Sequence, residues 1–433
     1  MRIGAGAGFA DDRIDPAVDL VERGELDFLV LECLAERTIA LRSLERLHAP
    51  DAGFDPWLRE RMLAFLGPCA AHGVRIVTNA GAANPVGAVR LVAAVARELG
   101  LRMKVAAVTG DDLTRMWRAS DVLAPDVVAA QAYLGGEAIV RALDEGADVV
   151  VTGRVADASL FAAPVSHAHG WRADDWPALA GALTAGHLLE CAGQLTGGYF
   201  ADPGVAEVPG LAELGFPFAD VDAAGGVVVG KLPGTGGVLD ARTCTQQLLY
   251  EVHDPAAYVT PDATLDLSGV SFTELGDDRV RVEGCAASPP PATLKVTLAT
   301  WAGFVGEGEI SYAGPGCLAR ADLAIDVVEK RLRASGLPIE DLRCERIGVD
   351  AVRRGVGVPP ATGGEPAEVR VRVVGRTPER AVAERIGREV TGLWTNGPAG
   401  GGGARRSVTE QLALTSAAID RAAVHTSIEW VDA

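Results

Sequence analysis

DVVVTGR (Asp148–Arg154) is a short apolar run that stops abruptly at a glycine and an arginine. It shows no alternation of polar and apolar residues. Such a run reads as a strand buried on both faces, the kind that parallel sheets use. A helical stretch, Gly136–Glu145, precedes it. Further back lie Lys104–Val108, VRIVT (Val74–Thr78), DFLVL (Asp27–Leu31) and a short strand opening at Arg2–Ile3. Helical stretches separate these runs, so the spacing predicts an α/β protein with a mostly parallel, doubly wound sheet. Polar residues follow directly where strands should end: Glu32, Asn79 with Gly81, Asp111, Arg154 and Asp157. Each can serve as a loop or helix cap. Their shared position points instead to a site, because open parallel sheets bind ligands at the carboxyl ends of their strands.

The N-terminus follows the order strand, glycine turn (Gly4, Gly6, Gly8), helix (Asp15–Arg23), strand, acidic residue Glu32. That is the dinucleotide-binding order, although Phe9 stands where the GxGxxG fingerprint needs glycine. A helix over Ala178–Leu195 places Glu190 and Gln194 one turn apart and ends at Thr196-Gly197-Gly198. Glu190 sits in the apolar string HLLECAGQL. Burial there would raise its pKa and suit it to acid–base work. Lys231-Leu-Pro-Gly-Thr-Gly-Gly237 follows another strand. With Lys231, Thr235, Gly236 and Gly237 it reads as an anion cradle, though it is no P-loop.

The pattern changes near residue 250. Ser271–Val282 and Thr293–Thr300 alternate more clearly, which predicts a second α/β domain with a mixed sheet over residues 251–433, after an N-terminal domain over 1–250. That domain carries NGPAGGGGARR (Asn396–Arg406) before a predicted helix, Ser407–Arg421. A glycine run feeding a helix start leaves backbone N–H groups open to an anion, so Gly400, Gly401, Gly402 and Arg405 are candidate ligand contacts. The expectation is that this loop closes over the strand ends carrying Asn79, Arg154 and Asp157.

The chain has 433 residues, 48% of them hydrophobic, and a formal net charge of −18. It can build a large core. It lacks the basic surface that nucleic acid requires. Seven cysteines, none spaced CxxC, argue for a reducing compartment and against a disulfide framework. No signal peptide and no apolar run of membrane-spanning length is legible. HExxH and GxSxG are absent, so no metal site and no hydrolase elbow is expected. Glycine turns, arginines, amides and a few carboxylates remain. That inventory suits an organic acid or acyl ester and the movement of a proton on it.

Several blocks together resemble the acyclic terpene utilization AtuA family. They are TNAGA with Asn84-Pro85 (from Thr78), TGRVADAS (Thr152–Ser159), ECAGQLTGGY (Glu190–Tyr199), GTGG (Gly234–Gly237), CTQQLLYE (Cys244–Glu251), DPAAY (Asp254–Tyr258) and NGPAGGGG (Asn396–Gly403). The resemblance spans nearly the whole chain. It implies a cytoplasmic, catabolic setting among enzymes that degrade branched acyclic terpenes through acyl-CoA esters. Some relatives carry a small additional C-terminal domain. This chain resembles the core form, so such a domain would come from a separate small protein in trans.

The resemblance assigns no catalytic residues; their roles follow from residue chemistry. Glu190, or else Glu251, would move a proton, and Arg154 would stabilise an enolate-like charge. The expected enzyme is a lyase, hydratase or isomerase without a redox cofactor, CoA entering only as part of the substrate. The alternatives are a non-catalytic acyl-binding subunit of a degradative complex and an NAD-linked oxidoreductase using Gly4, Gly6, Gly8 and Glu32. A homo-oligomer is expected, as for most soluble enzymes, with no nucleic-acid or membrane partner.

Overall fold

The structure is a computed structural model, described for residues 1–120, 122–352 and 365–433. The chain opens with β1 (Arg2–Ala7), α1 (Asp15–Arg23), β2 (Phe28–Leu31), α2 (Glu36–His48), α3 (Leu58–His72), β3 (Arg75–Thr78) and α4 (Pro85–Glu98). There follow β4 (Lys104–Thr109), α5 (Thr114–Ala119), β5 (Val127–Ala132), α6 (Glu137–Asp144), β6 (Val149–Thr152), α7 (Asp157–His169) and α8 (Trp176–Leu189). Next come β7 (Pro217–Val221), β8 (Val227–Lys231), α9 (Ala241–Leu249), β9 (Tyr258–Val259), β10 (Thr264–Asp266), β11 (Ser271–Gly276), β12 (Arg279–Glu283) and β13 (Ala286–Ser288). The chain closes with β14 (Thr293–Ala313), α10 (Cys317–Ala334), β15 (Glu340–Ile347), β16 (Glu368–Thr377), α11 (Arg380–Thr391), α12 (Leu393–Asn396), β17 (Gly402–Asp420) and β18 (Ser427–Asp432).

A ten-stranded sheet runs β11-β12-β8-β7-β1-β2-β3-β6-β4-β18. Its centre, β1-β2-β3-β6-β4, is parallel throughout. All residues of β2 and β6 are buried, as strands covered on both faces must be. The helices form two packed groups, α1 with α3 and α4, and α6 with α7 and α8. Antiparallel strands flank the parallel centre, β7 against β1 and β18 against β4. The protein is therefore α/β with a large mixed sheet whose parallel heart carries the expected βα pattern.

Contacts divide the chain into two compact units, Met1–Ala299 with Leu414–Ala433, and Thr300–Ala413. The border expected from the sequence is near residue 250. Strands β9 to β13 belong instead with the first unit, and the last strand, β18, returns to it. In the second unit β15, β16, β14 and β17 neighbour one another in that order. One core unites Ile310, Val371 and Val373 of its strands with Val328 and Leu332 of α10 and Ile386 and Val390 of α11.

Two local expectations are corrected. Ser407–Arg421 is not a helix: residues 402–420 form β17 beside β14. Long-range pairing overrides the Glu-Gln-Leu-Ala-Leu string that favours a helix locally. The Ala178–Leu195 helix stops at Leu189, and a short 3-10 turn over Ala192–Gln194 follows. The positive φ of Ala192, 42°, turns the chain out of the α-helical path there.

Candidate active site

Because β1, β2, β3, β6 and β4 are parallel, their carboxyl ends share one edge of the sheet. Just beyond those ends lie Gly8, Glu32, Asn79, Arg154 and Asp111. Hydrogen bonds tie them together. Asn79 donates from Nδ2 to Glu32 Oε1 at 2.9 Å, while its Oδ1 accepts from the Cys33 N–H at 2.7 Å. Glu32 Oε1 also accepts from the Leu34 N–H at 2.6 Å. The Arg154 backbone N–H donates to Asp111 Oδ2 at 2.7 Å, and its guanidinium donates to the Leu34 carbonyl. A side chain at position 153 would collide with the Asp111 carboxyl, as a β-carbon there would lie 2.3 Å from Oδ2. Gly153 thus lets Asp111 hold the turn that aims Arg154.

Arg154 is 2% exposed and meets three kinds of partner. It forms an ion pair with Asp157 at 3.2 Å, its guanidinium carbon lies 4.2 Å from the centre of the Tyr133 ring, and Glu32 and Glu36 add attraction. Burial lowers the Arg154 pKa, but these anions outweigh it and the net shift is upward. Arg154 is a permanent cation in a largely dry setting.

Three carboxylates act on that cation, and Glu190 acts in turn on two of them, Glu32 and Asp157. Burial raises the Glu32 pKa against the pull of Arg154 and of the Asn79 hydrogen bond, and Glu190 adds a repulsion. Asp157, the first residue of α7, is raised well above the carboxylate range by burial, with Glu32, Glu190 and Glu36 adding to it and Arg154 opposing it. Its side chain keeps 31% of its surface open, but Oδ1 is shut off from solvent and receives no hydrogen bond. Glu36 goes the other way: burial works to raise it, but the Tyr133 hydroxyl, Arg154 and Lys295 overcome this and hold it at about 2. Environments that push carboxyl groups apart in pKa distinguish proton donors from proton acceptors.

Glu190 caps the C-terminus of α8 and is 8% exposed. Its Oε1 lies 3.0 Å from His187 Nδ1, and its Oε2 has no hydrogen-bond partner. The other imidazole nitrogen, Nε2, lies 3.1 Å from the Leu248 carbonyl. Acceptors at both nitrogens call for a doubly protonated ring. Burial lowers the His187 pKa, but Glu190 reverses this and the net shift is upward. The Tyr258 ring, centred 4.9 Å from that of His187, links this pair to a cavity of about 180 Å³. Asp157, Tyr133, Tyr258 and Lys295 line it.

The remaining predicted residues divide clearly. Gln194 reaches the Tyr250 hydroxyl, and Glu251, exposed with φ 60°, acts electrostatically on Tyr250, Cys191 and Tyr258. Both lie at the margin of the cluster. Gly81 is structural, since a β-carbon there would lie 2.6 Å from the Thr152 carbonyl. Gly6 lies inside β1 rather than in a turn, and Gly8 alone follows the strand. The Gly8 N–H is taken by Asp12 Oδ2 at 2.8 Å, and the Cys191 backbone packs against its α-carbon. A dinucleotide's pyrophosphate would need that same approach, so the fingerprint reading of Gly6, Gly8 and Glu32 loses its physical basis.

The cradle at Lys231–Gly237 is also corrected. The Lys231 ammonium is buried and bound to the Thr235 carbonyl at 3.0 Å and to Asp278 at 2.9 Å. The N–H groups of Gly236 and Gly237 donate to Glu213 and Pro209, and Thr235 Oγ1 donates to Leu232. Thr196 Oγ1 is bound to the Gly215 carbonyl at 2.7 Å. These groups brace their own loop, and none is open to an anion. Gly400, Gly401, Gly402 and Arg405 belong to the second unit, where the chain enters β17 and no helix start follows them. Among the described residues no disulfide forms, and burial pushes the Cys191 thiol up, away from a reactive thiolate.

Sequence reading missed His187, Tyr133, Glu36 and Lys295. The HLLE spacing was a usable signal, because residues three apart on a helix face each other. Tyr133, Glu36 and Lys295 come from distant elements and carry no local signature.

The fold and this cluster define an α/β protein with a buried cluster of carboxyl groups and an arginine at the ends of its parallel strands. The chain belongs to the acyclic terpene utilisation AtuA family, whose profile matches residues 1–430. No curated protein sequence matches it. Among the described residues, no helix is long and apolar enough to cross a membrane.

Proposed function

We propose that this protein is a catabolic enzyme working in the cytoplasm, without a redox cofactor, on a branched carboxylic acid or its acyl-CoA ester by lyase, hydratase or isomerase chemistry. The observation that carries this reading is the split among the carboxyl groups around Arg154. Asp157 is pushed toward its neutral form, while Glu190 is tied to His187 with one oxygen left without a partner.

In this reading Glu190 acts as the base. Its partnerless Oε2, closed to solvent and off the cavity lining until that wall opens, takes a proton from the carbon next to the acyl carbonyl, and the His187 imidazolium offsets the carboxylate charge before the transfer. The electron pair left on that carbon moves into the carbonyl and makes an enolate. Arg154 and the Lys295 ammonium supply the positive charge that favours it. Asp157, on the cavity wall with its carboxyl pKa raised, takes up a proton when Arg154 turns its charge to the substrate and passes it to the substrate or to a departing hydroxide. Glu251, exposed and outside the enclosed cluster, is the weaker candidate for base.

The test is turnover by the purified protein of a panel of branched and straight acids and their CoA esters, followed by NMR. Isomerised, hydrated or dehydrated product supports the reading. Binding without any product would make the protein an acyl-binding subunit.

A further inference from the structure

A larger cavity, of about 420 Å³, adjoins the one bearing Asp157, and Pro261 and Leu294 line both. Its size falls within the range of small-molecule sites. Ala162 and Ala163 of α7, Val140 of α6, and Trp171 and Leu179 contribute apolar wall. Three arginines stand on its lining, and Arg421 is the most fully engaged of them. Arg421 binds the carbonyls of Pro261 and Pro291, Arg141 binds Thr426, and Arg172 pairs with Asp174. Of its two carboxylates, Asp262 accepts from the Gly136 N–H, and Glu137, the exposed first residue of α6, would repel an anion. The lining therefore combines a hydrocarbon wall with arginines at its solvent edge, of which Arg172 is 83% exposed.

The two cavities differ in chemistry. The smaller one holds Asp157, Lys295 and the two tyrosines; the larger has an apolar wall from Val140, Ala162, Ala163, Trp171 and Leu179, with its charged side chains bound to partners of their own or exposed. An acyl compound has the same division, a polar carbonyl end and an apolar chain.

We propose that the larger cavity is the chain compartment of the substrate site: it takes an aliphatic acyl chain whose carboxyl or thioester end lies at Asp157 and Lys295. This rests on the acyl reading of the site and adds where the chain goes and which residues measure its length. Val140 and Ala162 set the depth.

Calorimetric titration of the purified protein with hexanoate, octanoate and decanoate tests it. Each added methylene should tighten binding by about fourfold, the value for full burial. Val140→Trp should abolish the gain from octanoate to decanoate and leave hexanoate within about twofold. Ala162→Leu, a smaller change on the same wall, should act in the same direction if the tryptophan variant does not fold. Affinity that is independent of chain length would overturn the proposal. So would two folded variants that weaken hexanoate as much as decanoate. These titrations need no turnover, so loss of the chain compartment and loss of the enzymatic reading are separate results.

Discussion

Nδ1 of His187 lies 3.0 Å from Oε1 of Glu190, three residues further along at the end of α8. Both are buried, and the histidine is 1% exposed. Removing one partner strands the other, at a cost of about 3–5 kcal/mol. The folded pKa of His187 is raised above its ordinary value of 6.5. The pair's contribution is therefore fully present below pH 6.5 and is lost as pH rises through the folded value. His187→Ala should destabilise the protein most near about pH 6, and the deficit should shrink on the alkaline side. Denaturant melts of the two proteins from about pH 6 to about pH 9 read this directly; a deficit that is constant across the range contradicts it.

Asp111 has the opposite linkage. Burial lifts its carboxyl to about 7, although the Arg154 N–H opposes this. The unfolded group ionises near 3.8, so the folded protein is penalised progressively from about pH 4 to about pH 7 and by a constant amount above. An amide keeps an acceptor for the Arg154 N–H and carries no charge. Asp111→Asn should gain stability relative to the native chain as pH rises through that window, by a few kcal/mol at most (about 1.4 kcal/mol for each pH unit crossed). No change in the difference between about pH 5 and about pH 8 would refute the assignment.

Gly8 meets the backbone of Cys191, next to Glu190. A β-carbon on Gly8 would lie 2.4 Å from the Cys191 carbonyl carbon. Gly8→Ala should therefore cost about 1–3 kcal/mol as an overpacking change. Because it displaces the neighbour of Glu190, the proposed base, turnover should fall more than stability alone explains. Gly67→Ala is the control for glycine replacement alone, since its φ is not positive and a β-carbon there meets nothing within 4 Å.

Asp157 is assigned as the proton donor because its pKa is raised. An acid must be protonated to act, so activity should fall as pH rises through that value. Asp157→Asn should lower kcat by about 10²–10⁴-fold and remove the alkaline limb of the pH–rate profile. Retention of the limb in this variant would move the role to another group.

The parallel centre of the fold is legible in the sequence because strands buried on both faces leave continuous apolar runs, and polar residues mark where each run stops. Glu32, Asn79 and Arg154 stand out that way. The anion cradle at Lys231–Gly237 fails because local sequence does not say where a backbone N–H goes. Gly236 and Gly237 donate to residues 213 and 209, and Lys231 is held by Asp278, far along the chain. β17 reads locally as a helix because the pairing that makes it a strand involves β14, about a hundred residues earlier. Glu190 is legible as a carboxylate in an apolar string, and the HLLE spacing hints at His187; what the sequence hides is the second acceptor on that ring, the Leu248 carbonyl brought in by α9.

If Glu190 moves a proton on an acyl substrate, the most direct measurement is deuterium incorporation from D₂O at the carbon next to the acyl carbonyl. NMR follows it with native protein and with Glu190→Gln under identical conditions. The expected result is exchange with the native chain and a loss of about 10²–10⁴-fold in the variant, with the fold intact. Exchange at the native rate in folded Glu190→Gln would contradict the assignment.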